Sequence, residues 1–201
     1  MRARVLTGVR AAPDDEAELV TQLLAGEAVE LAPRESGGAP AWSRVRAPWQ
    51  PSSKDPGGYP GWVRTSDLVD EPATLPTAVE EDVMTLARAF LDTTYVWGGM
   101  TDEGIDCSGL VHVAARSAGL RVPRDAYDQA ATLLPVAVDD VRPGDLWFFA
   151  RPGRRIHHVG FVARPGWILH ASDATAGRVL EEELAPERVA TLVAAGRIAR
   201  G

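Results

Sequence analysis

Cysteine is nearly missing from this chain: Cys107 is the only one in 201 residues. A lone thiol excludes an internal disulfide and a multi-thiolate metal site. It is either an inert core residue or a nucleophile. Long apolar runs are missing too. Nothing approaches the ~18 consecutive apolar residues of a transmembrane helix. Positive charge is in deficit, with 21 Lys and Arg against 28 Asp and Glu and a net charge of -7. That balance argues against nucleic acid or an anionic membrane as the main partner. The opening residues, Met1-Arg2-Ala3-Arg4-Val5-Leu6, lack the apolar core of a secretory signal. A cytoplasmic location is the expectation if Met1 is the native start.

What is present reads as two parts. Hydrophobic residues at 45% and charged residues at 24% are those of an ordinary globular protein. In the first seventy residues, short β-rich stretches at 5–9, 17–24, 28–31, 42–46 and 61–63 alternate with Gly-, Pro- and Ser-rich segments. This pattern predicts a small all-β barrel over residues 1–70. Residues 71–76 hold two prolines in five positions and read as a linker. The period then changes. Thr77 and Glu80 fit a capping box, and Val79, Val83, Leu86, Ala87, Phe90 and Leu91 recur at helical spacing. A helix is predicted over 78–92. Two more are predicted over 108–118, with Gly119 as its stop, and 125–133. Residues 146–149, 157–163 and 167–172 read as strands, so 77–201 forms a second, α+β unit.

Cys107 lies between Asp106 and Ser108, polar company for a thiol selected only for packing. A helix starting beside it turns free N–H groups and a positive dipole end toward the sulfur. That placement predicts a thiolate of depressed pKa, with the same N–H groups available to an oxyanion. The partners on offer are His112, His157, His158 and His170. His112 falls inside the helix and reads as structural. His157, beside Arg154 and Arg155, reads as a rim residue. His158 and His170 begin and end two strands joined by Ala163-Arg164-Pro165-Gly166. A hairpin centred near 164 sets them opposite one another, His158 as base and His170 as its orienting partner. A loop one residue shorter opposes His157 to His170 instead. A zinc site of Cys107, His158 and His170 lacks an evident fourth ligand.

Six segments, in order and spacing, together resemble the NlpC/p-sixty family of bacterial cell-wall cysteine peptidases. They are Tyr95-Val96-Trp97-Gly98-Gly99, Asp106-Cys107-Ser108-Gly109-Leu110, Val122-Pro123-Arg124, Arg142-Pro143-Gly144-Asp145-Leu146, His158-Val159-Gly160 and Leu169-His170-Ala171. The resemblance implies a papain-like α+β catalytic domain with Cys107 as nucleophile, His158 as base and His170 as orienting residue. It favours His158 over His157, and sets Tyr95 beside the nucleophile. Residues 18–27 and 58–63 are similar to a bacterial SH3-like domain. This combination is similar to the branch that cleaves between γ-D-glutamyl and a diamino acid in murein peptides whose L-alanine has a free amine. The implied ammonium acceptors are Asp106, Ser108, Tyr59 and Glu18, with Glu27 a rival of Glu18. Ala126 departs from the serine frequent in relatives, and the insertions at 32–41 and 47–58 reshape the cleft wall. The implied partner is a small murein peptide, without metal, organic cofactor, nucleic acid, membrane or obligate protein partner. If the N-terminus has been trimmed, secretion or cell-wall association is the expectation instead. Two other readings keep the same residues: a cell-wall-peptide binding module with an inactive catalytic domain, and an amidase or acyltransferase using the same Cys–His pair.

Overall fold

A computed structural model describes residues 1–32, 41–74, 77–173 and 176–199. The expected turn region 33–40 and the end of the linker, residues 75–76, lie outside them. The N-terminal part holds β1 (Arg2–Ala3), β2 (Thr7–Arg10), β3 (Leu19–Leu23), β4 (Glu30–Leu31), β5 (Trp42–Ala47), β6 (Tyr59–Arg64) and β7 (Leu68–Val69). Five of these form a sheet in the order β3-β2-β6-β5-β4, and β1 pairs with β7. Side chains on a strand alternate between its two faces. Val9, Leu23, Val45, Ala47, Tyr59 and Val63 therefore converge on one small core.

The second part begins with α1 (Val83–Arg88), followed by the two-residue strands β8 (Met100–Thr101) and β9 (Gly104–Ile105). Next come α2 (Cys107–Ser117), α3 (Ala126–Thr132), β10 (Leu134–Val136) and β11 (Leu146–Phe149). The chain ends in β12 (His158–Arg164), β13 (Trp167–Ser172), β14 (Arg178–Glu183), α4 (Pro186–Val189) and β15 (Leu192–Arg197). Six strands form an antiparallel sheet in the order β10-β15-β11-β12-β13-β14. Every residue of α2 from Cys107 to Arg116 is buried. Its apolar residues face the sheet, while Ser108, His112 and Arg116, four residues apart on one stripe, are buried against polar partners. Leu110, Val111 and Ala114 join Phe148, Val159, Phe161 and Leu169 of the sheet in that core.

Two expectations need correction. The first helix spans 83–88, not 78–92. Asp82 caps it by accepting from the Thr85 N–H at 3.0 Å, displacing the proposed Thr77–Glu80 box. Val79 is held outside the helix, its N–H donating to the Ser117 carbonyl at 2.9 Å. The hairpin of β12 and β13 forms, but with Phe161 opposite Leu169 and a bulge before Arg164. That register is two residues from the one expected, and brings Gly160 opposite His170 rather than His158. A shift of two preserves the face, so both histidines still point the same way.

The two parts meet through buried polar groups. Arg116 pairs with Glu27 at 2.8 Å, both buried. The Arg124 Nε donates to Thr21 Oγ1 at 2.9 Å, and the Met100 N–H to Gln22 Oε1 at 2.8 Å. The insertion at 47–58 adds a third strip. Pro51 and Ser53 bond to the Arg124 N–H and to Asp128.

Candidate active site

Cys107 is the first residue of α2, and Asp106 is its cap. Asp106 Oδ1 accepts from the Gly109 N–H at 2.6 Å, and Oδ2 from the Gly98 N–H at 2.8 Å. Only glycine suits position 109, where a Cβ would sit 2.4 Å from the Gly99 carbonyl oxygen. The sulfur lies beside the backbone N–H groups of Ser108 and Val159. Those dipoles lower the thiol pKa, but two larger effects oppose them. Burial and the neighbouring Asp106 carboxylate push the thiol up to about 12. The expected low-pKa thiolate is therefore corrected: at rest Cys107 is a protonated thiol, 5% exposed. A buried anion beside a carboxylate is disfavoured whatever the helix dipole offers.

His158 lies at the start of β12, next to Val159, and is buried with His170. Their rings meet edge to face, His158 Nε2 lying 2.8 Å from His170 Nδ1. The contact crosses the diagonal of the hairpin and exists because residue 160 is glycine. A Cβ there would be 2.8 Å from the His170 Cβ and 2.6 Å from Ile168 Cδ1. Burial holds His170 at about 3, and burial with the nearby His170 and Arg188 holds His158 well below 6.5. Both rings are neutral near pH 7, and a neutral imidazole is a proton acceptor. Their facing nitrogens are occupied with each other, which does not suit a shared zinc ion.

A cleft of about 280 Å³ runs along the seam of the two parts. Cys107, Asp106, Ser108, Tyr59 and Glu18 all line it, while Tyr95, His158 and His170 do not. Tyr95 is half-buried against the core; its hydroxyl pKa is raised first by burial and then by the Cys107 charge. Asp106 and Ser108 already have partners. Arg124 donates to Asp106 at 2.7 and 3.0 Å and to the Ser108 hydroxyl at 2.9 Å. The Tyr59 hydroxyl donates to Asp125 Oδ1 at 3.1 Å and accepts from Lys54. Lys54 also pairs with Asp125 at 2.9 Å. Glu18 is the lining carboxylate with no cation beside it among the described residues, held by the Trp97 Nε1–H at 2.8 Å. Its rival Glu27 is excluded, sealed in the ion pair with Arg116.

His112 is buried, with Nδ1 2.7 Å from the Val122 carbonyl, and burial holds it neutral with a pKa of about 3. It is structural, as expected. His157 is exposed on the cleft rim. Two residues escaped the sequence reading. Glu182 on β14 reaches His170 Nε2 at 3.0 Å. Arg155 lines the cleft, its guanidinium stacked on the Tyr127 ring at 3.0 Å and forming no ion pair among the described residues. Glu182 sits in the charged run Glu181-Glu182-Glu183, which has no apolar alternation to announce a strand.

The NlpC/P60 family model matches residues 92–191, and a bacterial SH3 domain model matches residues 5–69. A γ-D-glutamyl-L-lysine dipeptidyl-peptidase of Bacillus subtilis is 31% identical, the match covering 75% of this chain and 71% of that protein. A protein of the same name from Bacillus cereus is also 31% identical, over 59% of this chain and 37% of its own length. An NlpC/P60 family protein of Bacillus cereus has the same fold, with a TM-score of 0.56 and 23% identity. That alignment covers 98% of this chain and 62% of that one. The peptidoglycan hydrolase RipB of Mycobacterium tuberculosis aligns with a TM-score of 0.52 and 29% identity, over 59% of this chain and 64% of its own.

Proposed function

The chain belongs to the NlpC/P60 family of cysteine peptidases, and from that premise we propose that it hydrolyses the γ-D-glutamyl–diamino acid bond of murein stem peptides with a free N-terminal L-alanine. One observation carries the reading: the thiol opens into a cleft whose far wall, with Glu18, Lys54 and Tyr59, comes from the N-terminal part. A wall there suits a short peptide end rather than a polymer passing through. Glu18 attracts the ammonium of L-alanine, with the Tyr59 and Ser108 hydroxyls near it. Arg155 offers its guanidinium to the substrate's α-carboxylate, a role left open where Ala126 carries no hydroxyl.

Cys107 then gives its proton to the imidazole of His158 as the sulfur attacks the γ-carbonyl. N–H groups at the start of α2 face the developing oxyanion. Collapse expels the diamino acid amine, which takes the proton from His158 and leaves a thioester on Cys107. Water, deprotonated by His158, cleaves the thioester and releases L-Ala-D-Glu. The bonded His158–His170 pair favours this over an inert binding module.

The test compares L-Ala-γ-D-Glu-diaminopimelate with its N-acetylated form, following products by mass spectrometry. Release of L-Ala-D-Glu from the free peptide, and at least roughly tenfold slower cleavage of the acetylated one, is expected, an ionic contact being worth ~1.5–3 kcal/mol. Equal rates on both would remove the ammonium pocket from the account.

A further inference from the structure

We propose that Glu182 is a positioning residue that decides which ring nitrogen of His158 serves as base. The inference rests on the peptidase reading of Cys107 and His158 and adds a member to their hydrogen-bond chain. β14 pairs with β13 so that Leu180 lies opposite His170, and Glu182 is its diagonal neighbour. From there Glu182 Oε1 lies 3.0 Å from His170 Nε2, and His170 Nδ1 lies 2.8 Å from His158 Nε2.

Proton counting fixes the rest. An ionised carboxylate only accepts, so His170 Nε2 is the donor. A neutral imidazole has one N–H, so His170 Nδ1 carries a lone pair and accepts from His158 Nε2–H. His158 Nδ1 is then bare, and it is the nitrogen that receives the thiol proton. The two-histidine chain alone lacks this direction. Run in reverse, His170 Nδ1–H would donate to His158 Nε2, and Nδ1 of His158 would hold the proton and be useless as a base. The carboxylate breaks that symmetry.

The charge acts in the same direction. Protonation of His158 makes an imidazolium, and the fixed positive charge among its neighbours is Arg188. Arg188 opposes that cation, while the Glu182 carboxylate offsets Arg188. During turnover one proton passes from Sγ to His158 Nδ1 and returns to the leaving amine. No proton need reach Glu182.

Glu182→Leu and the near-isosteric Glu182→Gln separate this role from mere packing. Wild-type protein labelled with ¹⁵N-histidine is expected to show His158 protonated at Nε2 and bare at Nδ1, with no substrate present. Glu182→Leu is expected to mix or invert that pattern and lower kcat roughly 10²-fold, the scale of a lost general base, with KM little changed. Glu182→Gln keeps a carbonyl acceptor but not the charge, so its tautomer should stay largely native and its kcat fall in between. A wild-type His158 protonated at Nδ1, or a Glu182→Leu protein with unchanged tautomer and kcat, would overturn the proposal. The tautomer is read without substrate, so an error in the substrate assignment leaves that arm intact.

Discussion

At the scale of single residues, the site works by burial rather than by stored charge. Cys107 is a thiol at rest because Asp106 and the surrounding core penalise its anion more than the helix start rewards it. His158 rests as a neutral imidazole because the same desolvation penalises its cation. The pH dependence follows in sign. A histidine whose pKa lies below 6.5 keeps its lone pair as pH falls past 6.5, and loses it only lower down. The acid limb of kcat/KM is therefore expected below pH 6.5, while iodoacetamide labelling of Cys107 climbs through the alkaline range. Labelling already at its plateau near pH 6 would contradict a buried neutral thiol. This balance was not legible in the sequence, because a motif shows that a helix starts at a cysteine but not how deeply the sulfur is buried. The placement of the candidate residues was legible: an only cysteine between polar neighbours and two histidines bracketing a turn leave few arrangements.

At the scale of elements, the β12–β13 hairpin sets the geometry, and its register explains Gly160. The strands β11 and β13 appeared at their sequence-expected positions because bulky apolar runs mark them. The helix α1 did not, because Asp82 and Thr77 are both adequate caps and only packing chooses between them. A turn alone could not fix the hairpin register, since a bulge before Arg164 changes the count by residues that no local signal marks. Parity survived, and with it the shared face of His158 and His170. Replacing Gly160 with alanine sets a methyl 2.6 Å from Ile168 Cδ1 and 2.8 Å from the His170 Cβ. Overpacking of this kind costs about 1–3 kcal/mol. Thermal melting should fall by several degrees, with kcat falling further than the loss of folded protein explains. An alanine variant with native melting and native kcat would show that the close approach is not needed.

At the scale of the whole molecule, the cleft exists only because two parts are locked together. The lock is polar and buried: Arg116 on Glu27, Arg124 on Thr21, Gln22 on Met100. Removing Glu27 would strand the buried charge of Arg116, which makes that contact costly to break. Arg124 belongs to both tasks, since it also neutralises the Asp106 that caps the helix starting at Cys107. The identity of the two parts was legible from spacing and from short motifs. Their seam was not, because Glu27 lies some ninety residues from Arg116 and Arg124 and each alone reads as a surface charge. The central claim is that the sulfur of Cys107 performs the hydrolysis. Its most direct test is the initial rate of L-Ala-D-Glu release from L-Ala-γ-D-Glu-diaminopimelate by wild type and by Cys107→Ala, with both proteins shown to melt alike. Loss of at least roughly 10³-fold in the variant is expected, the scale at which a nucleophile's removal is felt. Release by Cys107→Ala at a rate near that of the wild type would contradict it.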